Sequence, residues 1–305
     1  MIGLRSPGPL AEHLAISPLM TTWVFSDVHG VYSGLRQALI DATLIDAAGE
    51  WIAPPGTQLV GLGDYIDRGT DSIGVLQLLW RLADSAHAAR GRVVLLRGNH
   101  EELLMGAVMG DAASWHVWLG DFAGGEAFLR SLGADPANVR AGGPRRLRRV
   151  LETLAPDLYE RLRLMPEWAI WGDTFLSHAG LPPHADMDSL VPSGEHLWQE
   201  ARYERAGDQE WNLDGPAFAP ARRQGIKRIV YGHTTQPGKP KLDQGGRALC
   251  IDTNAAAISL SEHPFDRSAA VTLARLTPTG SLEVSEFIRV DTANAPDRAR
   301  REGQP

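Results

Sequence analysis

The chain has 305 residues, roughly twice a typical domain, yet mixed α/β enzymes often form one domain of about 250 residues, so one domain with tails is expected. A 43% hydrophobic fraction with 22% charged residues excludes disorder over most of the chain. The net charge of -7 argues against a surface devoted to nucleic-acid phosphates, and the lone Cys250 closes no intramolecular disulfide, which points to a reducing, cytoplasmic setting.

No apolar run approaches the roughly 20 residues of a membrane span, so no membrane partner is expected. Pro7, Glu12 and Pro18 interrupt the stretch where a signal peptide needs its apolar segment, and residues 1–20 are expected to be a flexible tail. Trp23-Val24-Phe25 then reads as a short buried strand running into Ser26-Asp27-Val28-His29-Gly30, and Leu35, Ala38, Leu39 and Ala42 recur at helical spacing. The alternation repeats. Leu59 to Leu62 precede Gly63-Asp64; Val75, Leu78, Leu79 and Leu82 mark a helix; Val93 to Leu96 precede Arg97-Gly98-Asn99-His100. This βαβαβ run would bring Asp27, His29, Asp64, Asn99 and His100 to the carboxyl ends of parallel strands, where functional groups of such sheets collect.

Residues 101 to about 168 read as a mainly helical insertion containing Trp115, Trp118 and Phe122, which are expected to be core packing, and the basic run Arg145 to Arg149, expected to be a solvated helix face. Strand-like segments resume at Thr174 to Ser177, Arg228 to Tyr231, Ala248 to Ile251, Ala270 to Leu276 and Ser281 to Phe287 without long helices between them. That half is expected to be antiparallel, making a second sheet packed on the first. The single domain would span residues 21–290, and residues 291–305 lack periodicity and are expected to be a flexible tail.

Five polar clusters follow strands: Asp27-x-His29, Gly63-Asp64-Tyr65-Ile66-Asp67-Arg68-Gly69, Gly98-Asn99-His100-Glu101, His178-Ala179-Gly180 and Gly232-His233. Singly, each is more often a turn, a cap or a hydrogen-bonded loop. Together, in this order, the set resembles the calcineurin-like metallophosphoesterase superfamily, and Gly-Asp-Tyr-Ile-Asp-Arg-Gly with Leu-Arg-Gly-Asn-His-Glu resembles its phosphoprotein phosphatase branch, over roughly residues 22–255. The resemblance implies an α/β, four-layer sandwich of two mixed sheets flanked by helices, with a helical cap insertion. It also implies two divalent metal ions, with manganese favoured and iron, zinc or cobalt compatible. Asp27, His29 and Asp64 would hold one ion, and Asp64, Asn99, His178 and His233 the other, with Asp64 as the bridge.

Such a pair of cations would supply a bridging hydroxide for in-line attack and neutralise phosphoryl charge. His100, adjacent to Asn99, is the candidate general acid, and the resemblance implies that Asp67 hydrogen-bonds and orients it. Arg68 is expected to grip phosphate oxygens, while Arg97 is balanced between a phosphate contact and a structural ion pair. The family's further phosphate-binding arginine should follow Leu197-Trp198; Glu200 stands there instead, and Arg202 could substitute by a shift of two. Positive φ is expected at Gly30, Gly63, Gly69, Gly98, Gly180 and Gly232. The expected partner is a phosphorylated protein, or a small phosphoester or nucleotide. Phosphoserine or phosphothreonine in proteins is favoured by Glu101 after His100, against a symmetrical dinucleoside tetraphosphate, while a catalytically dead binding module would require loss of a ligand and none is lost.

Overall fold

The computed structural model describes residues 14–186, 194–201, 203, 210–236, 238–256, 269–277 and 284–292. Its first sheet grows from the βαβαβ run: β2 (Thr21–Phe25), α1 (Tyr32–Asp41), β3 (Thr57–Gly61), α2 (Ser72–Ala88) and β4 (Arg92–Leu95), with β2, β3 and β4 parallel. β10 (Ala270–Leu276) joins the outer edge of β2 antiparallel, and β11 (Val284–Asp291) pairs antiparallel with β10. Alternation along the strands separates two interiors. Trp23, Phe25 and Leu59 pack with Leu35, Leu39, Val75 and Leu79 of the helices, whereas Val24, Val60, Val94 and Leu96 face the second sheet. Asp71 starts α2 by accepting a hydrogen bond from Gly74 N at 2.8 Å.

Five helices separate β4 from β5 (Trp168–Trp171): α3 (Asn99–Met109), α4 (Ala112–Trp118), α5 (Gly125–Ser131), α6 (Pro136–Leu154, kinked at Gly143 ahead of Pro144) and α7 (Leu158–Arg163). The basic run lies on α6 with Leu147 buried and Arg145, Arg146, Arg148 and Arg149 exposed, as a solvated face requires. Phe122 departs from the expected core packing. Trp118 is fully buried and Trp115 half-buried, but Phe122 is 67% exposed.

The second sheet runs in the order β1-β5-β6-β7-β9-β8, with β1 (Leu14–Ile16), β6 (Thr174–Ser177), β7 (Arg228–Tyr231), β8 (Lys241–Asp243) and β9 (Ala248–Cys250). Its Ala169, Trp171, Leu176, Val230 and Leu249 meet Val24 and Val60 between the sheets. Phe175, Ile229 and Tyr231 turn outward onto Trp211 and Phe218 near the short helix α9 (Ala219–Arg223). Helices, two mixed sheets and an outer covering thus give the four layers.

Two expectations change. β6–β7 and β7–β9 are parallel, so the second half is mixed and not antiparallel; residues 178–227 supply the crossover from β6 to β7, with only α8 (Glu195–Trp198), α9 and a 3-10 turn as regular structure in their described part. Order also begins before Met20: Leu14–Ile16 pairs in parallel with Ala169–Trp171, and Ile16 is buried between the sheets. Residues 1–13 and 293–305, the greater part of the expected tails, lie outside the described residues. Among the described residues, no helix is long and apolar enough to cross a membrane.

Candidate functional site

Strand ends from both sheets converge on one buried cluster. Asp27 and His29 follow β2, Asp64 follows β3, Asn99 opens α3 after β4, His178 follows β6 and His233 follows β7. Asp64 is central, its Oδ2 standing 3.4 Å from both His29 Nε2 and His178 Nε2. His178 Nε2 also lies 2.8 Å from the Asn99 side-chain amide and 3.2 Å from His233 Nδ1. Asp27 sits at the margin, with Oδ1 4.0 Å from His29 Nε2 and Oδ2 accepting bonds from Ser26 Oγ and from His233 N at 3.0 Å. Donor atoms thus gather as His29, Asp64 and His100 on one side and Asp64, His178 and His233 on the other, the first group holding His100 where the resemblance implies Asp27.

The tautomers follow from the carbonyls behind the rings. His29 Nδ1 faces Ile66 O at 2.9 Å and His178 Nδ1 faces Leu62 O at 3.2 Å; a carbonyl only accepts, so each Nδ1 carries hydrogen and each ring turns its Nε2 toward Asp64. The carboxylates of Asp27, Asp64 and Asp252 are all buried, close enough for their charges to act on one another. Burial, then the charge of Asp252, pushes the Asp27 carboxyl well above the usual range. Burial pushes His178 down, but Asp64 and Asp27 pull it up to about 9, while burial and His178 hold His233 down at about 3. Arg68 brings positive charge to the other side, its Nη1 2.6 Å from His29 Nε2. The oxygen and imidazole donors on both sides suit a divalent cation.

Beside them, His100 Nδ1 meets Asp67 Oδ2 at 2.7 Å and His100 Nε2 lies 3.8 Å from Asp64 Oδ2, so the ring bridges Asp67 to the cluster. Residues 20–250 match the family described as Calcineurin-like phosphoesterase. The chain belongs to this family.

Within the calcineurin-like phosphoesterases, "Serine/threonine-protein phosphatase 1" of Salmonella typhimurium is 32% identical to this chain over 141 residues, 45% of this chain and 54% of that protein. "Shewanella-like protein phosphatase 2" of Arabidopsis thaliana is 36% identical over 75 residues, 25% of this chain and 19% of that protein. The chain thus spans about half or less of the length of these relatives. The solved structure of a cold-active protein tyrosine phosphatase shares the fold, with a TM-score of 0.61 at 18% identity over 95% of this chain and 88% of that one.

Other site residues sort by their contacts. The Arg68 guanidinium is inside the cluster and stacks over Phe122 at 5.4 Å. Arg97, balanced on sequence between a phosphate contact and a structural ion pair, pairs with Glu167 and, at 3.3 Å, with Glu102, so two carboxylates claim its guanidinium, as the structural alternative requires. Arg202 lies outside the described residues.

Only three of the six glycines, Gly30, Gly63 and Gly180, have positive φ. At Gly69, Gly98 and Gly232 the constraint is room: a Cβ would overlap His29 O, Asp64 Oδ1 and Asp27 Oδ2 respectively. Two buried carboxylates have roles that the sequence reading did not give: Glu101, read there only as part of the His100 motif, and Asp252. Glu101 accepts from the backbone N–H groups of Asp64, Tyr65 and Gly98, each at 2.9 Å, locking two site loops together; burial, then Asp64, raises it to about 7. Asp252 accepts from Thr235 Oγ1 at 2.9 Å and Asn254 N at 2.8 Å. It follows β9 as the other clusters follow their strands, a signal that could have found it.

Proposed function

We propose that this chain is a dinuclear-metal-dependent phosphoesterase hydrolysing phosphomonoesters, with phosphoserine and phosphothreonine in proteins as its substrate class. The observation that carries the reading is Asp64, one buried carboxylate shared at 3.4 Å by two imidazoles from different sheets. Asp27, His29 and Asp64 would hold one divalent cation, and Asp64, Asn99, His178 and His233 the other. Manganese, iron, zinc and cobalt all accept this donor set. When bound, the pair supplies Lewis acidity that lowers the pKa of water and neutralises phosphoryl charge.

The chain's own groups do the rest. Asp67 accepts a hydrogen bond from His100 Nδ1 and keeps Nε2 toward Asp64, so a protonated His100 can give the Nε2 proton to the departing alkoxide. The planar fork of Arg68 suits two phosphoryl oxygens. Glu101 holds the Asp64 and Gly98 backbones in register by its three hydrogen bonds. The protein substrate class draws on the Salmonella and Arabidopsis phosphatases and on Glu101 after His100.

A second reading, hydrolysis of a symmetrical dinucleoside tetraphosphate, is favoured by the exposed Phe122 ring beside Arg68, which offers a face for a base. The test is kcat/KM for a phosphothreonine peptide and for diadenosine tetraphosphate with added manganese, before and after Phe122→Ala. The peptide should win and be indifferent to Phe122. A dinucleotide preferred by about a hundredfold, and selectively damaged by the substitution, would give the site to the second reading.

A further inference from the structure

Trp118 ends α4 in the helical insertion, with none of its surface exposed, which by itself would make it ordinary core. Its indole Nε1, however, donates to Asp67 Oδ1 at 3.1 Å, while the other oxygen of the same carboxylate, Oδ2, holds His100 Nδ1 at 2.7 Å. The Asp67 backbone N donates to Ser72 Oγ at 3.0 Å, fixing the main chain behind it. We propose that Trp118 is a positioning residue for the reaction, holding the Asp67 carboxylate in the one rotation that presents Oδ2 to His100.

The chemistry of the indole suits this task. Its N–H is a donor with no acceptor capacity, so it binds Asp67 without competing for the His100 hydrogen. A carboxylate held on one oxygen can turn about its terminal torsion; one held on both cannot. The indole is fixed in turn. Its ring packs edge-on against Phe128 at 6.1 Å, and a Cβ on Gly125 would come within 2.5 Å of it, so the α4–α5 turn must keep glycine there. The neighbouring Gly124 accepts from Arg68 N at 3.3 Å, tying the turn to the loop that carries Asp67 and Arg68. The insertion thereby reaches the site through hydrogen bonds to two consecutive residues.

This inference rests on the acid role proposed for His100, and its test separates the two. In the uniformly 15N-labelled full chain, which has nine tryptophans, the indole resonance lost in Trp118→Phe identifies Trp118. Asp67→Ala should move that resonance upfield and speed its exchange with solvent. Trp118→Phe should stay folded and lower kcat for an alkyl phosphate about tenfold with KM unchanged, while an aryl phosphate, whose leaving group needs little protonation, loses less than about twofold. An indole resonance indifferent to Asp67→Ala overturns the contact. Equal losses on both esters, or a loss confined to KM, overturn the positioning role. Failure of the acid role reads differently: His100→Asn would then lose alkyl and aryl turnover equally, with the Trp118 resonance still responding to Asp67→Ala.

Discussion

Asp27, His29, Asp64, Asp67, Arg68 and His233 all hold left-handed backbone, with φ between 46° and 71°. Side chains resist this region, although Asp and His tolerate it better than most, and such strain gathers where surrounding structure over-determines a functional loop. Here the surroundings are visible: Glu101 binds the Asp64 and Tyr65 amides, and the carbonyls of Ile66 and Leu62 orient two rings. Arg97 makes a different case, since its partner Glu167 also accepts from His196 Nε2 at 3.0 Å. Burial pushes the Glu167 carboxyl up, but the His196 hydrogen bond and the Arg97 charge pull it further down, below its ordinary 4.5. A depressed carboxyl contributes stability that is present above its unfolded pKa and lost as pH falls through the folded one. Glu167→Gln should therefore cost about 1–3 kcal/mol at neutral pH, and the difference from the parent should shrink below pH 4.5. Urea unfolding across that range checks it, and a difference that does not vary with pH would remove Glu167 from the account.

Among elements, β1 shows how a three-residue strand escapes a periodicity search. Leu14-Ala15-Ile16 is too short to display alternation, and its signal lies in a partner, β5, more than 150 residues away. Ile16 fills the space between the sheets with Trp171 and Leu176. Ile16→Ala should destabilise by about 2–3 kcal/mol, since the site is buried but at a sheet edge that can partly relax. Thermal unfolding reads the loss. An unchanged midpoint would mean that the strand is dispensable, as an ordered chain beginning at Met20 had implied. The helical insertion was legible as helices from its composition, but Trp118 and Phe122 looked alike on paper; one is buried on Asp67 and the other exposed over Arg68.

At the scale of the molecule, the two sheets share an apolar interior and meet at a buried edge crowded with Asp27, Asp64 and Asp252. Bringing these carboxylates together opposes folding unless positive charge accompanies them. Chelation of the full chain should lower its melting temperature, and excess manganese should restore it, each site contributing about 2.7 kcal/mol at a hundredfold excess over Kd. Calorimetry with metal analysis is the measurement. A melting temperature unmoved as metal content falls would mean that these carboxylates are balanced by Arg68 and His178 alone.

The motifs and the first βαβαβ run were readable in order because each is local: an apolar strand, then ligand-type residues within a few positions, then helical spacing. Those short-range motifs carry the family resemblance, and the resemblance implied the four layers. Strand direction in the second sheet, the diversion of Arg97 to Glu167, the Glu101 clamp and the Trp118 contact with Asp67 were not readable. Each depends on two segments meeting across 37 to 70 positions of chain, and which polar group a buried side chain finds is settled only when the sheets and the insertion close around it.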